Sequence, residues 1–186
     1  NRDGRSPFSF LAQKLEGWMH KKVAKALGAR ELSKSNTLEI GAGTLNQLAY
    51  EEKSGAYDFI EPLEFLYSRS QYLRRTRKKF QDIDDVDPSA KYDRIISVAV
   101  LEHVEDLPRV LKKSIGVLSD GGVFACGIPS EGGLLWGLAW RLTTGLEYRL
   151  RTGLSYSKLM RYEHLNDVWE IEALLKYFFK EEIGKA

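Results

Sequence analysis

Hydrophobic and polar residues follow two rhythms along this chain, one typical of amphipathic helices and one typical of buried strands. Residues 8–28 carry apolar side chains at spacings of three and four, which predicts a helix that ends at Gly28. Short apolar runs bounded by turn residues predict strands at 37–40, 57–61, 79–83, 93–98 and 123–128. Helical patterns lie between or after them at 45–53, 63–73, 107–118 and 168–178. This alternation predicts a Rossmann-like α/β fold with a doubly wound, mostly parallel sheet.

The alternation stops after the fifth predicted strand. Residues 130–162 are rich in Gly, Leu, Trp, Tyr and Arg, and we interpret residues 130–166 as a lid or substrate-binding insertion. A turn is expected at residues 120–122, and a last strand at 179–183. The sequence therefore predicts a single domain over residues 1–186, with an N-terminal helical segment at 1–35.

Composition narrows the class of protein only modestly. Of the 186 residues 43% are hydrophobic, enough for a sizeable core, and the net charge of +2 gives no reason to expect a DNA partner. The single cysteine, Cys126, excludes an intrachain disulfide and fits a reducing compartment. With a polar start that resembles no signal peptide, the expected location is cytoplasmic. The N-terminal helix is expected to pack on the domain, with peripheral contact to a membrane surface as the alternative.

The first candidate site follows the first strand, in the run Glu39-Ile40-Gly41-Ala42-Gly43. Glycines at that place let the backbone turn tightly and approach a ligand beyond the strand's carboxyl end. A dinucleotide-binding loop would carry a third glycine where this chain has Asn46. The Glu39 carboxylate would repel a pyrophosphate, but it suits the ammonium group of an amino-acid-like ligand. The loop therefore favours S-adenosylmethionine over NAD.

Two further acidic residues follow the next two strands. Glu61 stands at the end of the second strand, where a carboxylate accepts hydrogen bonds from ribose hydroxyls in nucleotide-binding sheets. Asp82 follows the third strand and would accept a hydrogen bond from an adenine amino group, although nearby Asp84, Asp85 and Asp87 leave the register open. Both acids are compatible with a ligand that contains adenosine.

The segment YDRIISVAVLEHVEDLP at residues 92–108, followed by LSDGGVF at 118–124, completes an ordered set of motifs. Together with the glycine loop, Glu61 and Asp82, it resembles the class I S-adenosylmethionine-dependent methyltransferase family over residues 36–130, particularly the type 11-like branch with a Leu-Glu-His-Val signature. The resemblance implies these contacts with the cofactor: the methionine end at Glu39, Gly41, Ala42 and Gly43, the ribose at Glu61, the adenine at Asp82 and Ile83, and the methyl donor beside Ser97 and Val98. A glycine is common in this family at the position of Leu45, so the loop's shape is open.

Methyl transfer from a sulfonium needs alignment of acceptor, methyl and sulfur above all, and a general base only when the acceptor carries a proton. His103, after the fourth strand, is the first candidate base, and its alternative is a residue that packs or caps a helix start. His164, beside Glu163 and Asn166, is the second. Related ubiquinone-pathway enzymes bind a metal through two Glu and the His. Because Ala99 stands in place of the first Glu, no metal is predicted.

The insertion carries the information about the acceptor. Leu134, Leu135, Trp136, Leu138 and Trp140 form an apolar group that packs on the domain, binds an apolar or lipid-linked acceptor, or contacts a second copy in a homodimer. The basic residues after it, which suit a phosphate-bearing or acidic acceptor, are Arg141, Arg149, Arg151, Lys158 and Arg161.

The sequence thus predicts methyl transfer from S-adenosylmethionine to an oxygen or nitrogen of a small-molecule acceptor. A sugar or a lipid-linked glycan precursor is the candidate acceptor. Three alternatives stay open. The first is a non-catalytic S-adenosylmethionine-binding partner subunit. The second is RNA methylation through the basic run at residues 74–79, which would otherwise be a solvated helix face. The third is a nicotinamide oxidoreductase.

Overall fold

The computed structural model describes residues 7–26, 35–51, 55–128 and 165–179. Its centre is a five-stranded sheet in the order β3-β2-β1-β4-β5, in which every neighbouring pair is parallel. The strands are β1 (Thr37–Ile40), β2 (Tyr57–Ile60), β3 (Lys79–Phe80), β4 (Tyr92–Val98) and β5 (Leu118–Gly127). Strand order reverses between β1 and β4, and sheets of this kind bind ligands beyond the carboxyl ends of the strands at that reversal. The predicted Rossmann-like, doubly wound fold is confirmed.

Helices flank the sheet: α1 (Pro7–Ala24), α2 (Glu64–Tyr67), α3 (Leu107–Val117) and α4 (Val168–Phe178). α3 begins after Asp106, whose side chain accepts a hydrogen bond from the Arg109 backbone N–H. α4 begins after Asp167, which forms a reciprocal capping box with Glu170, and both of its predicted ends are confirmed. The predicted N-terminal helix is also present as α1, and it ends at Ala24 rather than at Gly28, which lies outside the described residues.

Successive side chains of each strand point to opposite faces, so the sheet has two different sides. One face carries Leu38 and Ile40 of β1 and Ile95 of β4, and these pack with Val110 and Val117 of α3. The other face carries Glu39 and Arg94, together with Tyr57, Phe59 and Ile96, and α1 covers it through Val23 and Ala24. We call these the α3 face and the α1 face.

Two predicted helices are wrong in length. Residues 45–53 were expected to be helical, but the described part forms only a 3-10 turn at Asn46–Ala49, because Leu45 before it adopts a left-handed backbone conformation with φ 64°. Within the predicted helix 63–73, α2 is one turn long, and a separate 3-10 turn follows at Leu73–Arg75. Between them the Ser70 hydroxyl accepts a hydrogen bond from the Tyr72 backbone N–H, a local bond that competes with helix.

The predicted third strand is also too long, since β3 ends at Phe80. The Asp82 side chain accepts a hydrogen bond from the Asp84 N–H, and the Asp85 side chain accepts one from the Asp82 N–H, which starts a 3-10 turn at Ile83–Asp85. The predicted turn at residues 120–122 appears as an interruption of β5. Leu118 pairs with Tyr92 and Val123 pairs with Arg94, so residues 119–122 bulge out of the ladder.

Several predicted features lie outside the described residues. They are the insertion from residue 130 to 164, with its apolar group and the basic residues after it, and residues 180–183 of the predicted last strand. Within the described ranges no helix is long and apolar enough to cross a membrane.

Candidate functional site

The loop after β1 has the backbone shape that its glycines suggest. Gly41 has φ 71°, and a Cβ atom there would lie 2.4 Å from a side-chain methyl of Val100, so a larger residue is excluded by conformation and by space. Gly43 has φ 51° and open space where a side chain would be. Leu45, where relatives commonly have glycine, also adopts a left-handed conformation, and its side chain is fully buried. The loop therefore keeps a positive φ at the position of the missing glycine.

Glu61, which directly follows β2, accepts a hydrogen bond from this loop. It is 6% exposed, and its Oε2 accepts a hydrogen bond from the Gly43 backbone N–H at 2.8 Å. Its Oε1 accepts one from the Leu63 N–H at 2.9 Å. An ionised carboxylate has about four acceptor positions, so each oxygen retains one for a ligand hydroxyl. The structure brings together Gly43 and Glu61, two residues that the sequence assigned to the same ligand.

Glu39 lies on the α1 face of β1 and is 3% exposed. Its Oε2 accepts a hydrogen bond from the Tyr57 hydroxyl at 2.8 Å. Burial raises the pKa of Glu39 to about 8, and nearby Glu51 adds to the effect, while the Tyr57 hydrogen bond opposes it. A cationic group beside this carboxyl would favour its ionised form. The site therefore suits the ammonium end of an amino acid, and binding it is linked to loss of the Glu39 proton.

A chain of buried polar side chains on the α1 face continues from Glu39, and the sequence analysis missed it. Arg94 of β4 pairs with Glu51, with Nη2 and Oε2 2.6 Å apart and both side chains 1% exposed. Gln47 donates to Glu51 and accepts from His20 of α1, whose Nδ1 lies 2.7 Å from the amide oxygen. We call these four residues the polar network. The signal for it was the charge of Arg94 directly before the apolar Ile95 and Ile96 of a strand predicted to be buried.

The end of β4 faces the same edge of the sheet. Ser97 is 1% exposed, and its hydroxyl has no hydrogen-bond partner among the described residues. Val98 is the last residue of the strand, and Ala99 after it has φ 54°, an uncommon conformation for a residue with a side chain. Such local strain is concentrated at functional sites. Because the sequence carries no glycine there, it gave no sign of this turn.

The Leu-Glu-His-Val signature forms a 3-10 turn at Leu101–His103, with His103 exposed. The last two residues of the insertion, Leu165 and Asn166, hold this turn in place. Asn166 donates from its side-chain amide to the Leu101 and Val104 carbonyls, at 3.0 and 2.7 Å. The backbone N–H groups of Leu165 and Asn166 both donate to the Glu102 carbonyl. His164, the other candidate base, lies outside the described residues.

Asp82 and Ile83 lie after β3 at this same edge, but their side chains have different surroundings. Arg109 of α3 donates to both Asp82 oxygens, at 2.8 and 3.1 Å. This pairing lowers the pKa of Asp82 to about 2. Ile83 is 3% exposed and packs in the core on the α3 face. Because the Ile83 side chain packs in the core, a ligand at this edge would contact the backbone of Ile83 and not its side chain.

The basic side chains of the run at residues 74–79 are exposed, as expected of a solvated face. The run does not form a helix beyond the 3-10 turn that ends at Arg75, and three of its side chains also bind groups of the protein. Arg75 donates to the Leu48 and Glu51 carbonyls, and Arg77 forms a bidentate pair with Asp58. Lys79 pairs with Glu64. Elsewhere, the described residues contain no group of three His, Cys, Asp or Glu side chains placed to hold a metal ion.

The residues that converge at the carboxyl edge of β1, β2 and β4 fit an amino-acid nucleoside. Gly41 and Gly43 open the backbone, Glu61 offers acceptors, and Glu39 provides a buried acid. A family model described as a methyltransferase domain matches residues 11–176. The chain therefore belongs to this methyltransferase family. Membership confirms the predicted class of enzyme and S-adenosylmethionine as its cofactor. No curated protein sequence matches the chain significantly.

Solved structures with the same fold are distant in sequence. The plantazolicin methyltransferase BpumL in complex with S-adenosylhomocysteine is 17% identical, with a TM-score of 0.60 over 95% of this chain and 71% of that one. A Thermotoga maritima methyltransferase described as a possible histamine N-methyltransferase is 19% identical, with a TM-score of 0.58 over 90% of this chain and 72% of that one. The CurJ carbon methyltransferase is 23% identical, with a TM-score of 0.57 over 86% and 46%. At these identities the likeness shows the fold.

Length separates this chain from some of these proteins. It covers 54% of an S-adenosylmethionine-dependent methyltransferase from Clostridium acetobutylicum, which is 20% identical with a TM-score of 0.50 over 68% of this chain. It likewise spans about half of CurJ. The activity, acceptor and partners of the whole protein are therefore matters for proposal.

Proposed function

We propose that this protein transfers the methyl group of S-adenosylmethionine to an oxygen or nitrogen atom of a small-molecule acceptor. One observation carries the proposal: the glycine loop after β1, Glu61 after β2 and the strained turn after β4 meet at the edge where strand order reverses. A cofactor bound across that reversal would place its methionine end beside β4. Its adenosine would then lie toward β2 and β3.

In this proposal, residues of the protein bind both the methionine end and the adenosine end of the cofactor. Glu39 ionises and binds the ammonium group, directly or through water, while Gly41, Ala42 and Gly43 let the chain approach. Glu61 accepts hydrogen bonds from the ribose hydroxyls, using the acceptor positions that the loop leaves on its oxygens. Asp82 accepts one from the adenine amino group, and the backbone of Ile83 borders the ring.

The methyl group would project past Ser97 and Val98 toward the turn that carries His103. S-adenosylmethionine supplies an activated methyl group, so the protein's task is to align the acceptor with it and exclude water. His103 would take the proton of a hydroxyl acceptor as the bond to the methyl group forms, or would take the proton of an ammonium acceptor first, so that the neutral amine attacks the methyl group and S-adenosylhomocysteine leaves. It is exposed on a turn that Asn166 and Leu165 hold, and a proton taken there can pass to solvent. His164, next in sequence to Leu165, is the second candidate base.

The acceptor class rests on weaker support. BpumL is named for plantazolicin and the Thermotoga maritima protein for histamine, both small molecules, while CurJ is named a carbon methyltransferase. A sugar or lipid-linked glycan precursor is suggested by the apolar and basic composition of the insertion alone. Analysis of a labelled product by mass spectrometry would show whether the methyl group is attached to oxygen, nitrogen or carbon.

The alternatives differ in what they require. RNA methylation would use the exposed basic run at residues 74–79, in which Arg75 and Arg77 already bind carbonyl and carboxylate oxygens of the protein. A non-catalytic partner subunit predicts S-adenosylmethionine binding without turnover over a panel of hydroxyl and amine acceptors. Cytoplasmic location, homodimer formation and peripheral membrane contact stay predictions. For the last of these, α1 exposes Trp18 and Leu15 on its outer side.

The decisive test of the site is Glu61→Ala, measured by calorimetry with S-adenosylhomocysteine. The change removes the ribose acceptor and a bond to the loop, so affinity is expected to weaken by about 1–3 kcal/mol. Glu64→Ala is the matched control, because Glu64 lies on the same turn but pairs only with the exposed Lys79 among its described contacts. Unchanged affinity in Glu61→Ala would place the ribose elsewhere. Binding of NAD without binding of S-adenosylhomocysteine would overturn the proposed function itself.

A further inference from the structure

Asp82 is held on two sides by groups of its own protein. Its Oδ1 accepts hydrogen bonds from the Asp84 N–H at 2.9 Å and from Arg109 Nη1 at 2.8 Å. Its Oδ2 accepts one from Arg109 Nη2 at 3.1 Å. The two parallel bonds from one guanidinium fix the plane of the carboxylate, because a bidentate pair constrains orientation as well as distance.

The donors around Asp82 leave few acceptor positions for anything else. A carboxylate oxygen accepts about two hydrogen bonds, so Oδ1 is filled and Oδ2 retains one position. The Asp82 side chain is 47% exposed, which leaves that position within reach of a ligand at the sheet edge. The carboxylate therefore presents one acceptor, in one orientation, at the place where the proposed function puts adenine.

This arrangement distinguishes a donor from an acceptor on the purine. The 6-amino group of adenine donates a hydrogen bond, whereas the 6-oxo group of hypoxanthine accepts one. With the pKa of Asp82 lowered to about 2 by its pairing with Arg109, the carboxyl carries no proton to offer at neutral pH. A 6-oxo purine would place its oxygen against an oriented anion. Sites built to pair with a substrate N–H discriminate strongly against an analogue that lacks it.

We propose that Arg109 is a positioning residue that orients Asp82 and thereby makes the cofactor site selective for a 6-amino over a 6-oxo purine. The inference rests on the proposed function, in which Asp82 meets the adenine amino group. Arg109 acts through Asp82 and need not touch the ligand. It also pairs with Asp84 at 2.8 Å, so it holds the whole acidic turn after β3 against the start of α3.

The sequence offers a matched control on the same helix. Lys113 lies one turn further along α3 and pairs with Asp84; its charge acts on Asp82, but among the described contacts it makes no hydrogen bond to that carboxylate. Lys113→Gln therefore removes a positive charge from the same acidic turn while leaving the bidentate pair in place. Arg109→Lys retains the charge of Arg109 and removes the fork that binds both oxygens. Comparing these two changes separates charge from orientation.

The experiment measures dissociation constants of S-adenosylhomocysteine and its 6-oxo analogue S-inosylhomocysteine by calorimetry on the full chain. The quantity of interest is the ratio of the two constants. The wild-type ratio is expected to exceed about tenfold in favour of the amino ligand, as for loss of one well-placed hydrogen bond. Asp82→Ala should bring the ratio near one. Arg109→Gln and Arg109→Lys should each lower it at least about threefold, whereas Lys113→Gln should leave it at the wild-type value.

Each outcome either supports or overturns the role inferred for Arg109. Equal weakening of both ligands by Arg109→Gln, with the ratio preserved, would make Arg109 a structural residue only and overturn the inference. A fall in the ratio with Lys113→Gln equal to that with Arg109→Lys would assign the effect to charge and overturn it as well. A ratio that Asp82→Ala does not change would remove Asp82 from the adenine site. Failure of the wild-type protein to bind S-adenosylhomocysteine would instead contradict the proposed function. A thermal melt of every variant identifies any that does not fold.

Discussion

The two faces of the sheet are built from the same strands and differ in kind. On the α3 face, Leu38, Ile40 and Ile95 pack against an amphipathic helix in the manner of an ordinary core. On the α1 face, the alternate positions of β1 and β4 hold Glu39 and Arg94, which are as deeply buried as their apolar neighbours. One step along a strand thus separates an apolar core residue from a buried charged residue.

This difference explains how a buried acid persists beside the cofactor loop. Burying an ionisable group costs free energy unless it is neutralised, paired or hydrogen-bonded. On the α1 face Glu51 is paired with Arg94, and Glu39 is held by the Tyr57 hydroxyl with a raised pKa. The α3 face supplies the apolar packing that tolerates this arrangement. The apolar packing therefore lies on the α3 face of the strands, and the buried ionisable groups near the candidate site lie on the α1 face.

The largest effect is expected from breaking the buried ion pair on the α1 face. Arg94→Met leaves the Glu51 carboxylate buried without its cation, which should lower the free energy of unfolding by about 3–5 kcal/mol. The double variant Arg94→Met with Glu51→Met replaces the pair by apolar side chains of similar size and should recover most of that loss. Urea denaturation of the three proteins measures both values. A double variant as unstable as Arg94→Met would mean that the pair itself stabilises the fold.

A smaller loss is expected from the neighbouring position on the α3 face. Ile95 is fully buried, so Ile95→Ala should lower the free energy of unfolding by about 2–5 kcal/mol through lost burial and a cavity. Affinity of the folded variant for S-adenosylhomocysteine should stay at the wild-type value, because Ile95 lies level with Leu38, three residues before the loop begins at Gly41. Calorimetry below the unfolding transition tests this. A tenfold weaker affinity would show that the two faces are coupled.

The smallest effect per step of the measurement is a pH dependence of stability that belongs to Glu39. Its pKa is about 8 when folded against 4.5 for a solvated glutamate, so between these values the folded protein holds a proton that the unfolded chain has lost. Stability is thus greatest below the lower value and falls as pH rises toward the upper one, by at most about 1.4 kcal/mol per pH unit. Glu39→Gln should flatten this slope, as measured by urea denaturation at several pH values.

Two other carboxyl groups with shifted pKa values, those of Asp58 and Asp82, act outside that window. The pKa values of Asp58 and Asp82 are lowered, so their contributions to stability are lost only as pH falls into the acid range. Tyr57→Phe is a further control, because it removes the hydrogen bond that lowers the pKa of Glu39 and should move the midpoint upward. A slope that persists unchanged in Glu39→Gln would belong to another group.

Much of the fold was predictable from local pattern. The order of strands and helices follows from the apolar runs, and α4 has the bounds that its apolar spacing predicted, with a local capping box of Asp167 and Glu170 at its start. The predicted helices at 45–53 and 63–73 were too long, because hydrophobic spacing does not reveal a left-handed Leu45 or a Ser70 turn. Element type was determined locally, whereas element length depended on backbone conformations that packing imposes.

The sequence by itself determined the class of ligand. Glycines at 41 and 43 between Glu39 and Glu61, in a chain that alternates strand and helix, lead to one edge of a parallel sheet and to an amino-acid nucleoside there. Only the tertiary structure decided what surrounds these acids. In the folded protein Glu39 is buried and its pKa is raised, Asp82 pairs with Arg109, and Arg94 pairs with Glu51. Those partners lie far apart in the chain, and hydrophobic periodicity specifies which face a residue occupies but not which polar group meets it there.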